Sequence, residues 1–169
     1  MKHSLLLLAF LSTAVFLSAQ ITNLEVGDPF PLTEIEGMKG QIYPLDSGKV
    51  WVLNFWNRGC KPCEIERPYL NELFAQFKSQ EGIRFASVTM NTERQLAEFL
   101  EDHPVDWPLF GGVDFLGITG DKTFMIKAMP TTIVVNQKSQ IRYKHSGTIL
   151  PGASGEAFMK LLTTVLEEE

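Results

Sequence analysis

Apolar positions along the chain fall into blocks that alternate between short continuous runs and helical repeats, the pattern of an α/β domain. The run VWVLNFW at 50–56 is β-branched and aromatic and carries no charge. It predicts a strand buried on both faces at the centre of a sheet. Residues 83–90 predict a second buried strand and 61–78 a helix between the two, which together make a parallel βαβ unit. Residues 92–103 predict another helix, with Thr92 as its cap, Leu96, Phe99 and Leu100 on one face, and His103-Pro104 as its stop. Gly111, Gly112, Gly117 and Gly120 break up the stretch that follows, in which 107–110 predict a short strand and 122–128 a short helix. A hairpin is predicted from 131–136 and 141–145 around the polar turn 137–140. A closing helix over 154–168 is expected to bury Phe158, Leu161, Leu162, Val165 and Leu166. Ahead of the central strand, Gly27-Asp28-Pro29 and Pro31 punctuate an extended or hairpin entry over 24–31, and 41–45 predict a short strand.

The first block differs in kind. Lys2 and His3 precede an apolar run from Leu5 to Leu17 and a small-residue exit at Ser18-Ala19, which predicts a signal peptide over 1–19 and a mature chain beginning near Gln20. An uncleaved membrane anchor is the alternative, because Leu17 is a poor residue two before the cut. No cysteine lies near its end to take a lipid. Residues 24–169 then suit one domain with its own core. With 44% hydrophobic and 21% charged residues in a chain of 169, the composition is that of an ordinary globular protein. A net charge of −5 argues against a polyanion-binding face, so nucleic acid is excluded as a partner.

The candidate chemistry is concentrated in the chain's two cysteines, Cys60 and Cys63, which export would place where disulfides persist. They fall between a buried strand and a helix. There the helix's unpaired N–H groups and dipole lower the pKa of the first thiol, making Cys60 the nucleophile. Cys63 is close enough to resolve the mixed disulfide that forms. Pro62 suits the first helical turn and Lys61 adds a cation beside the sulfurs. Closing so short a loop restrains the unfolded chain little, so a purely structural disulfide is the weaker alternative. Zinc would need further ligands, and His3, His103 and His145 are not paired at ligand spacing. Haem attachment would need His where Glu64 stands. Neither a metal nor another cofactor is expected.

Glu66 stands out from its surroundings. At about 100° per residue, Tyr69, Leu70, Leu73, Phe74 and Phe77 share one helix face and Glu66 falls at its centre, three residues after Cys63. Burial there would raise its pKa and set a proton acceptor beside the resolving thiol. The competing expectation is a solvated Glu displaced by a kink at Pro68.

Asn54-Phe55-Trp56, Cys60-Lys61-Pro62-Cys63, Glu66, Pro68 and Met129-Pro130-Thr131-Thr132 together resemble the thioredoxin superfamily, and within it the TlpA-like exported thioredoxins that include cytochrome-maturation reductases. The resemblance spans residues 24–169. It implies a thioredoxin fold: a central mixed β-sheet flanked by helices, with an N-terminal hairpin extension and an inserted strand and helix between Cys63 and Pro130. It also implies a cis Pro130 facing the cysteines, with Trp56, Met129 and Pro130 at the substrate-binding face. Asn54 stands where ordinary thioredoxin has a buried aspartate, and Gly59 where these proteins usually have Trp. With that Trp absent, Arg58 becomes a candidate partner contact, against the plainer expectation of a solvated side chain.

The leading expectation is therefore a periplasmic thiol-disulfide oxidoreductase that reduces the disulfides of exported proteins and is recharged by a membrane electron donor, with cytochrome c maturation suggested by resemblance. An oxidant or isomerase is the alternative, since direction depends on reduction potential. A thioredoxin-fold peroxidase would resemble its family by a Thr where Asn57 stands. A non-catalytic binding or metallochaperone module is a further alternative. Membrane contact is expected only through the N-terminal anchor.

Overall fold

The computed structural model describes residues 24–36, 40, 42–46, 48–116 and 124–168. The leader expected over 1–19 lies outside the described residues. The elements are β1 (Glu34–Glu36), β2 (Ile42–Pro44), β3 (Val50–Trp56), α1 (Lys61–Phe77), β4 (Ile83–Thr89), α2 (Glu93–Leu96), α3 (Phe99–Asp102), β5 (Leu109–Phe110), β6 (Thr131–Val135), β7 (Ile141–Ser146) and α4 (Ala153–Leu166). β3, the uncharged run, is buried at every position and lies in the middle of a five-stranded sheet of order β5-β4-β3-β6-β7. Its pairing with β4 is parallel, from Val50↔Ile83 to Trp56↔Thr89, and with β6 antiparallel. The sheet is thus mixed, as the resemblance implies.

Side-chain alternation along β3 builds two cores. Val50 and Val52 face α1 and α4, where Leu70, Leu73, Phe77, Phe158, Leu162 and Val165 close over them. Trp51, Leu53 and Phe55 face the other way, against Phe30, Ile35, Phe115, Phe124 and Ile126. Each fully buried side chain of this size contributes roughly 1.5–3 kcal/mol, enough to specify the register of β3. Helices cover the first face. Among the described residues the second is sealed by the entry segment and by Phe115, Phe124 and Ile126.

The entry segment also manages an edge. Gly27 N–H donates to Ile141 O at 2.8 Å, Ile141 N–H to Asp28 O at 2.9 Å and Phe30 N–H to Ser139 O at 2.8 Å, so residues 24–30 run beside the start of β7 and occupy backbone groups that an edge strand would expose. β1 and β2 pair antiparallel as the hairpin extension, and Tyr43 sets its ring edge-on to Phe110 at 4.7 Å.

Four expectations need correction. Residues 92–103 form not one helix but two single turns, α2 and α3, separated at Ala97-Glu98. Helices this short gain little from propagation, so tertiary anchoring decides their geometry: Leu96 enters the cluster with Trp56 and Cys63, and Phe99 stacks on Trp56. The strand expected at 107–110 shrinks to β5 because Pro108 has no N–H to give a ladder and offers only its carbonyl, to Ser87 N–H at 2.8 Å. Of the helix expected at 122–128, residues 122 and 123 lie outside the described residues. The rest is non-helical, with Ile126 N–H bonded to Phe115 O at 2.8 Å. Tyr69, Phe74, Leu161 and Leu166 are half-buried at the rim of the core rather than inside it.

Candidate active site

Cys60 is the N-cap of α1, and Pro62 and Cys63 lie in its first turn. The two sulfurs are joined as a disulfide. Cys60 Sγ accepts from Cys63 N–H at 3.3 Å, so the backbone already aims a donor at the sulfur that would carry charge when the bond opens. Cys60 is half-buried and Cys63 is 2% exposed, which makes the first sulfur the one a partner can reach. The loop before them is pinned to β4. Asn57 Oδ1 accepts from Thr89 Oγ1 at 3.1 Å and from Met90 N–H at 3.2 Å, and Arg58 N–H donates to Asn91 Oδ1 at 2.6 Å. Gly59 has φ +83°, in the left-handed region where a side chain is strained, so the residue in the usual Trp position serves the turn instead.

Glu66 is 1% exposed. Asn54 Nδ2 donates to its Oε1 at 2.9 Å, and Ile149 N–H donates to its Oε2 at 3.0 Å. Asn54 Nδ2 also donates to Thr132 Oγ1 at 3.1 Å, tying β3, α1 and β6 together at the carboxyl. Desolvation pushes the Glu66 pKa up to about 7, and the Ile149 and Asn54 hydrogen bonds and the nearby Arg67 only moderate the rise. A group that titrates near 7 exchanges a proton readily at neutral pH. On β7, burial and then the Glu66 charge hold the Tyr143 phenol above its ordinary pKa.

Met129–Pro130 is a cis peptide. Pro130 is buried, and half-buried Met129 packs in the cluster with Trp56, Cys63 and Cys60. Trp56, expected at the substrate-binding face, is 2% exposed. Its Nε1–H donates to Ser87 Oγ at 2.6 Å and its ring stacks on Phe99, so it forms the wall behind Cys63 and does not face solvent. Lys61 is exposed and its ammonium pairs with Glu64 Oε2 at 3.1 Å, which directs part of its field away from the sulfurs. Pro62 is exposed at the mouth of the site.

The structure therefore gathers Cys60, Cys63, Glu66, Met129 and Pro130 in one place, with Trp56 behind them. Arg67 escaped the sequence reading. It is buried, with its guanidinium carbon 4.5 Å from the centre of the Trp56 ring. One signal for it was present: the stripe 63, 66, 67, 70 has the spacing of a buried helix face.

Residues 26–144 match the AhpC/TSA family. The thiol-disulfide oxidoreductase ResA of Halalkalibacterium halodurans is 31% identical over 134 residues, covering 79% of this chain and 73% of that protein. The thiol:disulfide interchange protein DsbE of Escherichia coli is 33% identical over 141 residues, covering 77% of this chain and 71% of that protein. Among solved structures, the thioredoxin domain of a thiol-disulfide oxidoreductase from Bacteroides vulgatus superposes with a TM-score of 0.66 at 23% identity, covering 84% of this chain and 99% of that one, a likeness of fold.

Proposed function

Because the chain belongs to the AhpC/TSA family and is a thiol-disulfide oxidoreductase of thioredoxin fold, we propose that Cys60 and Cys63 are its exchanging pair, with Glu66 as the proton acceptor and donor for Cys63. The observation that carries this reading is the buried Glu66 carboxyl, three residues from Cys63 and titrating at about 7. The Cys60 thiolate, favoured at the helix end, attacks a partner disulfide and forms a mixed disulfide. Glu66 takes the Cys63 proton, and the Cys63 thiolate displaces the partner from Cys60. The partner leaves as a thiol, two electrons richer.

Met129 and Pro130 border the sulfurs and present backbone to an extended partner segment, while Lys61 and Pro62 shape the loop around Cys60. Export through a leader over 1–19 would place this chemistry outside the cytoplasm, with exported proteins as clients and a membrane donor to restore the dithiol. The proposed direction is reduction, with apocytochrome c disulfides as the client class that the TlpA-like resemblance suggests. Asn57 is committed to Thr89 and Met90, which favours a fixed exchange loop over peroxide chemistry.

Trapping tests the pair and its clients together. Cys63→Ala is expected to accumulate mixed disulfides through Cys60, and Cys60→Ala to accumulate none. A reduction potential near that of thioredoxin, about −270 mV, supports a reductant. A value near about −120 mV would reverse the direction. Failure of the wild-type protein to reduce insulin or exchange with glutathione would overturn the assignment.

A further inference from the structure

Arg67 lies four residues after Cys63 on α1, so the two side chains share one stripe of the helix. It is 6% exposed, and Nη1 and Nη2 make no hydrogen bond to the described residues. Instead the guanidinium carbon sits 4.5 Å from the Trp56 ring centre and 5.1 Å from that of Phe99. Trp56 in turn packs on Cys63. The titratable groups around it are Glu64 and Glu66 on its own helix and, from the end of α3, His103, whose ring stacks on Phe99 at 4.4 Å. Glu64 is bound to Lys61, and both Glu66 oxygens are held by Asn54 and Ile149.

A guanidinium keeps its charge at any working pH, and a buried one without an anion is costly. Two aromatic faces offset part of that cost. The Glu64 and Glu66 charges offset a further part, and thiol exchange brings new negative charge into the same pocket. Cys63 must become a thiolate to resolve the mixed disulfide, although its burial disfavours the charged form. Cβ atoms at this helical spacing lie about 6 Å apart, and at an effective dielectric near 20 a unit charge at even about twice that separation raises a thiolate population about tenfold.

We propose that Arg67 is the buried counter-charge of the Cys63 thiolate, a positioning residue that favours the resolving step. This rests on Cys63 being the resolving thiol. In that step the Cys63 S–H proton passes to Glu66, and the thiolate's electron pair forms the bond to Cys60 Sγ. The bond from Cys60 to the partner sulfur breaks as this happens. The partner sulfur keeps that bonding pair and takes up a proton, so that over the two exchanges the partner is reduced by two electrons and the pair oxidised by two. A cation facing Cys63 stabilises the species before attack and is idle once the neutral disulfide forms.

Two measurements test this: alkylation of Cys63 by iodoacetamide across pH in a Cys60→Ala background, and equilibrium of the intact pair with glutathione. Arg67→Met, which keeps length and loses charge, is expected to lower the Cys63 thiolate population at a given pH about tenfold. It should leave the glutathione equilibrium of the intact pair within about threefold of wild type, since the cation acts on the thiolate and Cys63 is a thiol in the resting dithiol. Arg67→Lys should stay within about threefold of wild type in both. Folded Arg67→Met protein that titrates like wild type overturns the proposal, and so does Arg67→Lys falling as far as Arg67→Met, since shape alone would then be at work. If Arg67→Met does not fold, the wild-type background decides. A buried counter-charge predicts a Cys63 titration unmoved between 0.05 and 0.5 M salt, whereas a shift of half a pH unit or more assigns the effect to surface charge. Wild type that exchanges with no disulfide overturns the function itself, and the Cys63 titration still reads the role of Arg67.

Discussion

Replacing Glu66 by Gln removes a titrating group while keeping its shape, and the consequence for stability can be worked out with its sign. The folded protein holds the Glu66 proton to about pH 7, whereas the reference value for a free carboxyl is 4.5. Between those values the folded state binds a proton that the unfolded chain has released, so stability falls as pH rises through the window. Each pKa unit corresponds to about 1.36 kcal/mol, so the wild-type protein loses about 3 kcal/mol from this one group between pH 4.5 and 7. It regains none of it above pH 7. The Glu66→Gln variant has no such dependence.

The amide brings a smaller cost of its own. Glu66 accepts from both Asn54 and Ile149, and Gln has one acceptor oxygen. If Ile149 keeps it, the Asn54 amide must turn over so that its oxygen accepts from the introduced amide and from the Thr132 hydroxyl, for about 1 kcal/mol at every pH. Glu66→Gln should therefore be slightly less stable than wild type near pH 4.5 and more stable, by about 2 kcal/mol, at pH 8. Urea unfolding of the oxidised protein at pH 5, 6, 7 and 8 reads this directly. At a slope of about 2 kcal/mol per molar, the wild-type midpoint should fall relative to the variant by about 1.3 M across the series. In the same variant the resolving step loses its base, and turnover with insulin should drop at least about 100-fold with its inflection near pH 7 abolished. Parallel stability profiles for the two proteins would refute the buried, protonated Glu66.

Asn54→Leu removes a hydrogen bond that lowers the Glu66 pKa, so the inflection in the pH dependence of exchange should move above 7 in stopped-flow measurements from pH 5 to 9. An inflection that stays or falls would contradict that geometry. Gly155→Ala would bring a Cβ against the Tyr69 hydroxyl and to 2.6 Å from Leu150 O, where α4 seats on α1. It should cost about 1–3 kcal/mol by urea unfolding, and a loss below about 0.5 kcal/mol would show that the seat is loose.

Much of the site is local, and what is local was legible. The run 50–56 is uncharged and β-branched wherever it is placed, and a helix that begins at Cys60 presents its N–H groups to that sulfur regardless of what packs on it. Glu66 was legible as well, because a carboxylate at the centre of an apolar stripe contradicts the stripe's period. The helix expected over 92–103 was read by the same rule and came out as two turns, since its apolar spacing records that Leu96 and Phe99 reach Trp56 without recording whether the backbone between them stays helical.

The strength of the chemistry was settled by residues far apart in the chain. Glu66 takes its hydrogen bonds from Asn54, 12 positions away, and from Ile149, 83 away. Arg67 shares the Cys63 stripe, yet an arginine there could as well have snorkelled to water. It is the arrival of Trp56 from β3 and Phe99 from α3 that keeps it inside. Cys60 and Cys63, their order at the helix end, and the misplaced Glu66 follow from periodicity and end effects, which act over a few neighbouring residues. The proton affinity of Glu66, the burial of Trp56 and the buried guanidinium of Arg67 depend on desolvation, which is set by whatever surrounds a group in space and exists only once the sheet and helices have closed over it.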